Sequence, residues 1–89
     1  MQTTYQLQIF GRVQGVSYRY WAKQTAEAMG LKGFVQNQPD GSVRIQLTGT
    51  APKLNEFIER CFSGPPMAKV ENVKTEEIPF KRFEGFNIF

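Results

Sequence analysis

Apolar side chains in this chain recur with two periods, and the order in which those periods follow one another limits the possible folds more than any other feature. Tyr5, Leu7 and Ile9 alternate with Gln6 and Gln8 between Thr4 and Arg12, the period of a half-buried strand. Tyr18, Trp21, Ala22, Thr25, Ala26 and Met29 then fall at helical spacing, and Gly30-Leu31 reads as a C-cap with its hydrophobic contact, which predicts a helix over Tyr18 to Met29. Gly33 to Asn37, the turn Pro39-Asp40-Gly41, and Val43, Ile45 and Leu47 alternating with Arg44, Gln46 and Thr48 predict a β-hairpin. A second helix opens at Thr50-Ala51-Pro52, carries Leu54, Phe57, Ile58, Cys61 and Phe62 on one stripe, and stops at Gly64-Pro65-Pro66. Val70 and Val73 to Ile78 predict a fourth strand, and Phe86 and Ile88 alternating with Asn87 a short last one.

That order, βαββαβ with a short extra C-terminal strand, predicts an α+β, ferredoxin-like two-layer sandwich: a mostly antiparallel sheet with two helices covering one face. Eighty-nine residues, 40% hydrophobic and including eight Phe, three Tyr and one Trp, suffice for one core and leave no room for another, so residues 1–89 are expected to form a single domain. This arrangement hosts many unrelated functions, so function has to be read from particular residues.

Several classes fall away at once. Apolar runs are only a few residues long and Met1-Gln2-Thr3-Thr4 has neither a basic nor an apolar leader character, so no membrane association and a cytoplasmic address are expected. Cys61 is the sole cysteine and there is no histidine, which excludes an internal disulfide, histidine acid–base catalysis and the usual N/S metal sites. No metal and no cofactor are expected.

The net charge of +3 becomes informative once it is located. No acid precedes Glu27, whereas Arg12, Arg19 and Lys23 do; from Glu27 onward eight acidic and eight basic side chains cancel. The whole excess sits in the first strand, loop and helix, which points to a local anion site more than to a broad nucleic-acid surface.

Between the first strand and the first helix stands Gly11-Arg12-Val13-Gln14-Gly15-Val16-Ser17-Tyr18-Arg19. Its two glycines can adopt the positive-φ conformations that turn successive N–H groups toward one point, and such a nest at a helix N-terminus binds phosphate-like anions. Glycines four apart usually just turn a chain; Arg19 argues otherwise here. A cation in the first helical turn opposes the macrodipole at a cost of roughly 0.3 to 1 kcal/mol, no acid nearby in sequence relieves it, and a bound anion held by the guanidinium fork would. Parallel first and second strands joined by a helical crossover end at one edge of the sheet, which brings Asn37 near this loop. Asn37 either starts the Gln38-Pro39-Asp40-Gly41 turn or holds a water in line with a bound phosphoryl group.

The site offers no acid to protonate a departing oxygen. Its leaving group must be good unaided: a carboxylate, whose parent acid has a pKa of about 4, fits, and an alkoxide does not. An activated phosphate, such as an acyl phosphate, follows as the substrate. Ser17 and Ser63 lack a base, and Cys61 lies on the apolar stripe of the second helix, where a structural thiol is expected.

The sequence resembles the acylphosphatases over nearly its whole length. The resemblance is carried by Gly11 through Arg19, by Gly33-Phe34-Val35-Gln36-Asn37, by Asp40-Gly41-Ser42-Val43, by Gly64-Pro65-Pro66-Met67-Ala68-Lys69-Val70 and by Phe86-Asn87-Ile88. It implies hydrolysis of the carboxyl-phosphate bond to carboxylate and inorganic phosphate without metal or cofactor. Arg19 and the loop Val13, Gln14, Gly15, Val16, Ser17 and Tyr18 would hold the phosphoryl group, and Asn37 would orient the attacking water. The chain departs from the family at Ser17, often aromatic there, at Phe34, often Trp, and at Gln36, often basic; Ser17 is then a candidate helix cap, and an altered affinity for the acyl part is expected.

Two other functions share parts of this pattern. An RNA-binding module of this topology would use Lys32-Gly33-Phe34-Val35, but that fragment falls on strand two and strand three carries no aromatic, so no nucleic-acid partner is expected. A non-catalytic domain binding a small phosphorylated metabolite would need the same cradle; turnover alone separates it from an enzyme. A free-standing monomer is expected.

Overall fold

The computed structural model describes residues Met1 to Phe89. Its elements are β1 (Thr3–Arg12), α1 (Tyr18–Ala28), β2 (Lys32–Asn37), β3 (Val43–Gly49), α2 (Ala51–Cys61), β4 (Lys69–Ile78) and β5 (Phe86–Ile88). The strands form one sheet in the order β4-β1-β3-β2-β5, in which only the β2–β5 pair is parallel.

Register decides which side chains reach the core. Leu7 and Val35 both pair with Ile45, and Tyr5 and Gly33 with Leu47, so one row of alternating side chains lies on one face. Leu7, Ile9, Val35, Val43, Ile45 and Leu47 from the sheet are buried with Ala22 and Ala26 of α1 and Leu54, Phe57 and Cys61 of α2. Tyr18 lies tilted against Trp21 (centroids 5.2 Å) and Trp21 stacks on Phe57 (6.2 Å), which bridges the helices. The ferredoxin-like sandwich is thus the observed architecture.

Both helix ends of the first crossover have local causes. At the C-terminus of α1, the Leu31 amide donates to the Ala26 carbonyl (2.9 Å) and the Gly30 amide to that of Glu27 (3.1 Å), with Gly30 at φ 72°, the left-handed closure that glycine permits. The helix therefore ends at Ala28 with Met29 as its cap, one residue short of the predicted end. On α2 the apolar stripe stops earlier than its spacing suggested: Phe62 is the C-cap residue and 53% exposed, at the point where the helix ends.

At the other end of the first crossover, β1 and β2 are each antiparallel to β3 and so run parallel to one another. Ile9 and Asn37 both pair with Val43, which puts the end of β2 level with Ile9, three residues before β1 ends at Arg12. Between Phe10 and Gly11 the β1–β4 register slips by a bulge, and Gly11, at φ 123°, packs so tightly on β4 that a Cβ would collide with the Lys69 carbonyl. Gly11 thus serves the strand bulge that launches the following loop.

Candidate functional site

The loop after β1 is fixed from three sides. Val13 and Val16 insert into the core, and the Gln14 Nε2 donates both to the Gln38 carbonyl (2.9 Å) and to the Ser42 carbonyl (3.0 Å), strapping the loop to the β2–β3 turn. That turn is itself rigid: Asp40 Oδ1 accepts from the Ser42 hydroxyl (2.6 Å) and the Ser42 amide (2.9 Å), bonds that hold the Asp40 carboxyl below its ordinary pKa. The third anchor is Tyr18, whose ring is buried and whose hydroxyl donates to the Cys61 carbonyl at the end of α2 (2.6 Å). Burial and the adjoining thiol push the Tyr18 phenol well above its usual pKa, and burial pushes Cys61 up to about 12, so that thiol is a protonated structural group at neutral pH.

Replacing Tyr18 with Phe deletes the hydroxyl and strands a buried carbonyl, an expected loss of about 1 to 2 kcal/mol. In a chain of this size that lowers Tm by roughly 5 to 10 °C, measurable by thermal denaturation.

Backbone conformation within the loop matches its candidate role. Gly15 lies at φ 74° and Ser17 at φ 66°, ψ 24°, the only positive-φ residue of the chain that is not glycine. A serine held left-handed stores about 1 kcal/mol or more of strain. Ser17 occupies the N-cap position of α1 but makes no side-chain cap bond, so the expected serine cap is absent: its backbone is left-handed, outside the extended region that a capping residue ordinarily adopts.

Hydrogen-bond accounting supplies the sharpest feature. From Val13 to Tyr20 no main-chain N–H donates to another protein atom; the first to do so is Trp21, bonded to the Ser17 carbonyl (3.0 Å). These are eight consecutive free amides, five in the loop through Ser17 and three at the helix start, and six of their residues, Val13, Gly15, Ser17, Tyr18, Arg19 and Tyr20, line a cavity of about 210 Å³ together with Asn37 and Ile88. That is roughly the volume of seven liquid waters, enough for a phosphoryl group and part of what it is attached to.

Arg19 and Asn37, predicted from distant parts of the chain, line the same cavity. Arg19 is its only charged lining residue, and no acid stands in the first turn of α1. Its Nη1 donates to the main-chain oxygen of Phe89 (2.8 Å), a partner seventy residues away that sequence spacing could not reveal. Asn37 contributes a buried Oδ1 with no hydrogen-bond partner. It does not start the turn: those bonds run from the Gln38 amide to the Ser42 carbonyl (2.8 Å) and from the Gly41 amide to the Gln38 carbonyl (3.1 Å).

Of the predicted loop residues, Val13, Gly15, Ser17 and Tyr18 border the cavity, while the side chains of Gln14 and Val16 are spent on anchoring. The concentration of positive charge does not resolve into one site. Lys23 pairs with Glu27 (3.0 Å) and donates to the Phe86 carbonyl, and Arg12 is exposed at the end of β1. Phe34 and Gln36 project from the opposite face of the sheet to Asn37, where Phe34 packs on Phe83 (6.0 Å) and Phe89 (5.4 Å); neither lines the cavity. Tyr20 and Ile88 do line it and were not foreseen. The Ile88 alternation placed it on a strand, but only the parallel pairing of β5 with β2 brings that strand to the site.

Comparison with known proteins assigns the chain to a family and a fold. A family model described as acylphosphatase matches residues 5–88. An acylphosphatase of Rhodopseudomonas palustris is 55% identical over 71 residues, covering 80% of this chain and 72% of the relative. Among solved structures, an acylphosphatase from Coxiella burnetii superposes with a TM-score of 0.95 at 32% identity, covering 99% of this chain and 93% of that one. The acylphosphatase of Bacillus subtilis gives 0.94 at 33% identity, covering 100% and 99%. The chain belongs to the acylphosphatase family.

Proposed function

We propose that this protein hydrolyses acyl phosphates, releasing a carboxylate and inorganic phosphate, with the cavity between the β1–α1 loop and the end of β2 as its active site. The observation that carries the reading is the convergence of a run of free amides, the Arg19 guanidinium and the unpartnered Asn37 Oδ1 on one cavity. Family membership and the acylphosphatases similar to this chain over most of their length support the reaction class.

In this mechanism the phosphoryl oxygens accept from the N–H groups of Val13 to Tyr18 while the Arg19 fork takes two of them, neutralising charge that spreads over the equatorial oxygens as the reaction proceeds. Asn37 Oδ1 accepts a hydrogen bond from a water and holds it opposite the leaving oxygen. The water oxygen bonds to phosphorus, the bond from phosphorus to the acyl oxygen breaks, and the electron pair leaves on the carboxylate. The water's protons pass to phosphate and solvent. No general acid is needed, because the leaving carboxylate is the conjugate base of an acid of pKa about 4.

A metal is not required on this reading. The phosphoryl charge is met by guanidinium and amides, and the side chains include no group of three or more Cys, Asp or Glu arranged to hold an ion. We further take residues 1–89 to act as one domain and as a monomer in the cytoplasm, without nucleic-acid partners. The confinement of excess positive charge to the first 23 residues supports the last point, and no helix is long and apolar enough to cross a membrane.

The test is phosphate release from benzoyl phosphate in buffer containing a chelator. Turnover undiminished by the chelator is expected. A folded protein that binds inorganic phosphate yet releases none from the acyl phosphate would instead be a phosphometabolite-binding domain.

A further inference from the structure

Two exposed apolar side chains from different elements share the active-site cavity. Tyr20, in the first turns of α1, is 59% exposed, and Ile88, on β5, is 40% exposed; both line the cavity beside Arg19. Isolated apolar residues on a surface need no explanation, but two converging on the rim of one cavity, with buried Val13 behind them, form a wall. The tyrosine is not free to swing away: Gln24 Nε2, one turn along α1, donates to its hydroxyl (2.9 Å).

Charge at the rim points the same way. Arg19 is the only ionised group lining the cavity, and its fork is directed to the phosphoryl group while Nη1 also holds the Phe89 oxygen. Lys23, the next cation on the helix, is engaged by Glu27 and by the Phe86 carbonyl. A carboxylate carried on the acyl part would find no second cation there and would lose water against Tyr20 and Ile88, which is unfavourable for a charge. An apolar acyl group would bury its own surface and theirs.

We propose that Tyr20 and Ile88 form an acyl-recognition wall that selects acyl phosphates whose acyl group is neutral and apolar, aromatic rings above all, over those carrying a second carboxylate. The proposal rests on the hydrolase reading and specifies its substrate class. It concerns the acyl half of the substrate, whereas the loop and Arg19 concern the phosphoryl half.

Benzoyl phosphate and 4-carboxybenzoyl phosphate isolate the effect, because they share a ring and differ in the distal charge. The ratio of their kcat/KM values is expected to favour benzoyl phosphate by roughly tenfold or more. Tyr20→Ser, at an exposed helix position that does not threaten folding, and Ile88→Ser should each lower that ratio several-fold, and Tyr20→Lys should lower it further by offering the carboxylate a partner. A ratio near one in the parent protein, or a ratio unmoved by all three changes, overturns the proposal while leaving hydrolysis intact. A parent that hydrolyses neither acyl phosphate but still binds inorganic phosphate overturns the hydrolase reading itself.

Discussion

Arg19→Ala is expected to lower kcat/KM for benzoyl phosphate by about three orders of magnitude, with the fold intact. Arg19 is the only cation lining the cavity, so its loss removes the one full charge opposing the phosphoryl group. Single donors to a developing oxyanion are worth about 10²- to 10³-fold, and arginines acting on transferring phosphoryl groups about 10³ to 10⁵. Stability should move little. Removing a cation from a helix N-terminus relieves about 0.3 to 1 kcal/mol of unfavourable dipole interaction, which offsets the loss of the exposed bond to the Phe89 oxygen. Arg19→Lys should recover only part of the activity, because an ammonium keeps the charge but not the two-oxygen fork. Steady-state kinetics with thermal denaturation of each variant make the check. An alanine variant retaining a tenth of the parent's kcat/KM would remove Arg19 from the mechanism.

The contrast between Arg19 and its surroundings also shows what a sequence can and cannot reveal. Positions governed by local rules were readable. Alternation in β1 and β3, the Gly30-Leu31 closure and the Pro39-Asp40-Gly41 turn each depend on residues within a few positions, and the structure reproduces them. Juxtaposition of Asn37 with the loop was readable too, because parallel strands linked by a helix must end at the same edge, and both Ile9 and Asn37 prove to pair with Val43.

Elsewhere residue type and spacing do not decide the outcome. Phe62 obeys the helical spacing, yet the Arg60 carbonyl receives the Ser63 and Gly64 amides where the helix ends, and the ring is exposed. Ser17 has the identity of a cap but the dihedral angles of a loop turn, set by a loop clamped at Val13, Gln14 and Tyr18. Lys23 counted toward a positive cluster in sequence and is satisfied by Glu27 and by β5 in space. The Phe89 oxygen on Arg19 and the Ile88 side chain at the rim arrive through β5, a three-residue strand whose neighbour no local pattern identifies.

Asn37→Ala should fail in a different way from Arg19→Ala, and the difference is the strongest test of the division of labour. Its Oδ1 is buried without a partner, a group that contributes nothing to folding and that natural proteins retain chiefly where function uses it. If that oxygen positions the attacking water, the alanine variant loses about two orders of magnitude in kcat, the usual scale for misplacing a reacting group by about an ångström. Inhibition by inorganic phosphate should stay within about twofold of the parent's, because the loop amides and Arg19 remain. Stability should hold or rise by up to about 1 kcal/mol as the desolvated acceptor disappears. Asn37→Asp keeps an acceptor but sets a carboxylate beside the phosphoryl group, so it should weaken phosphate binding as well as turnover. Parallel loss of kcat and phosphate affinity in Asn37→Ala would instead make Asn37 part of the phosphate cradle and leave the water to be activated by the substrate's own oxygens.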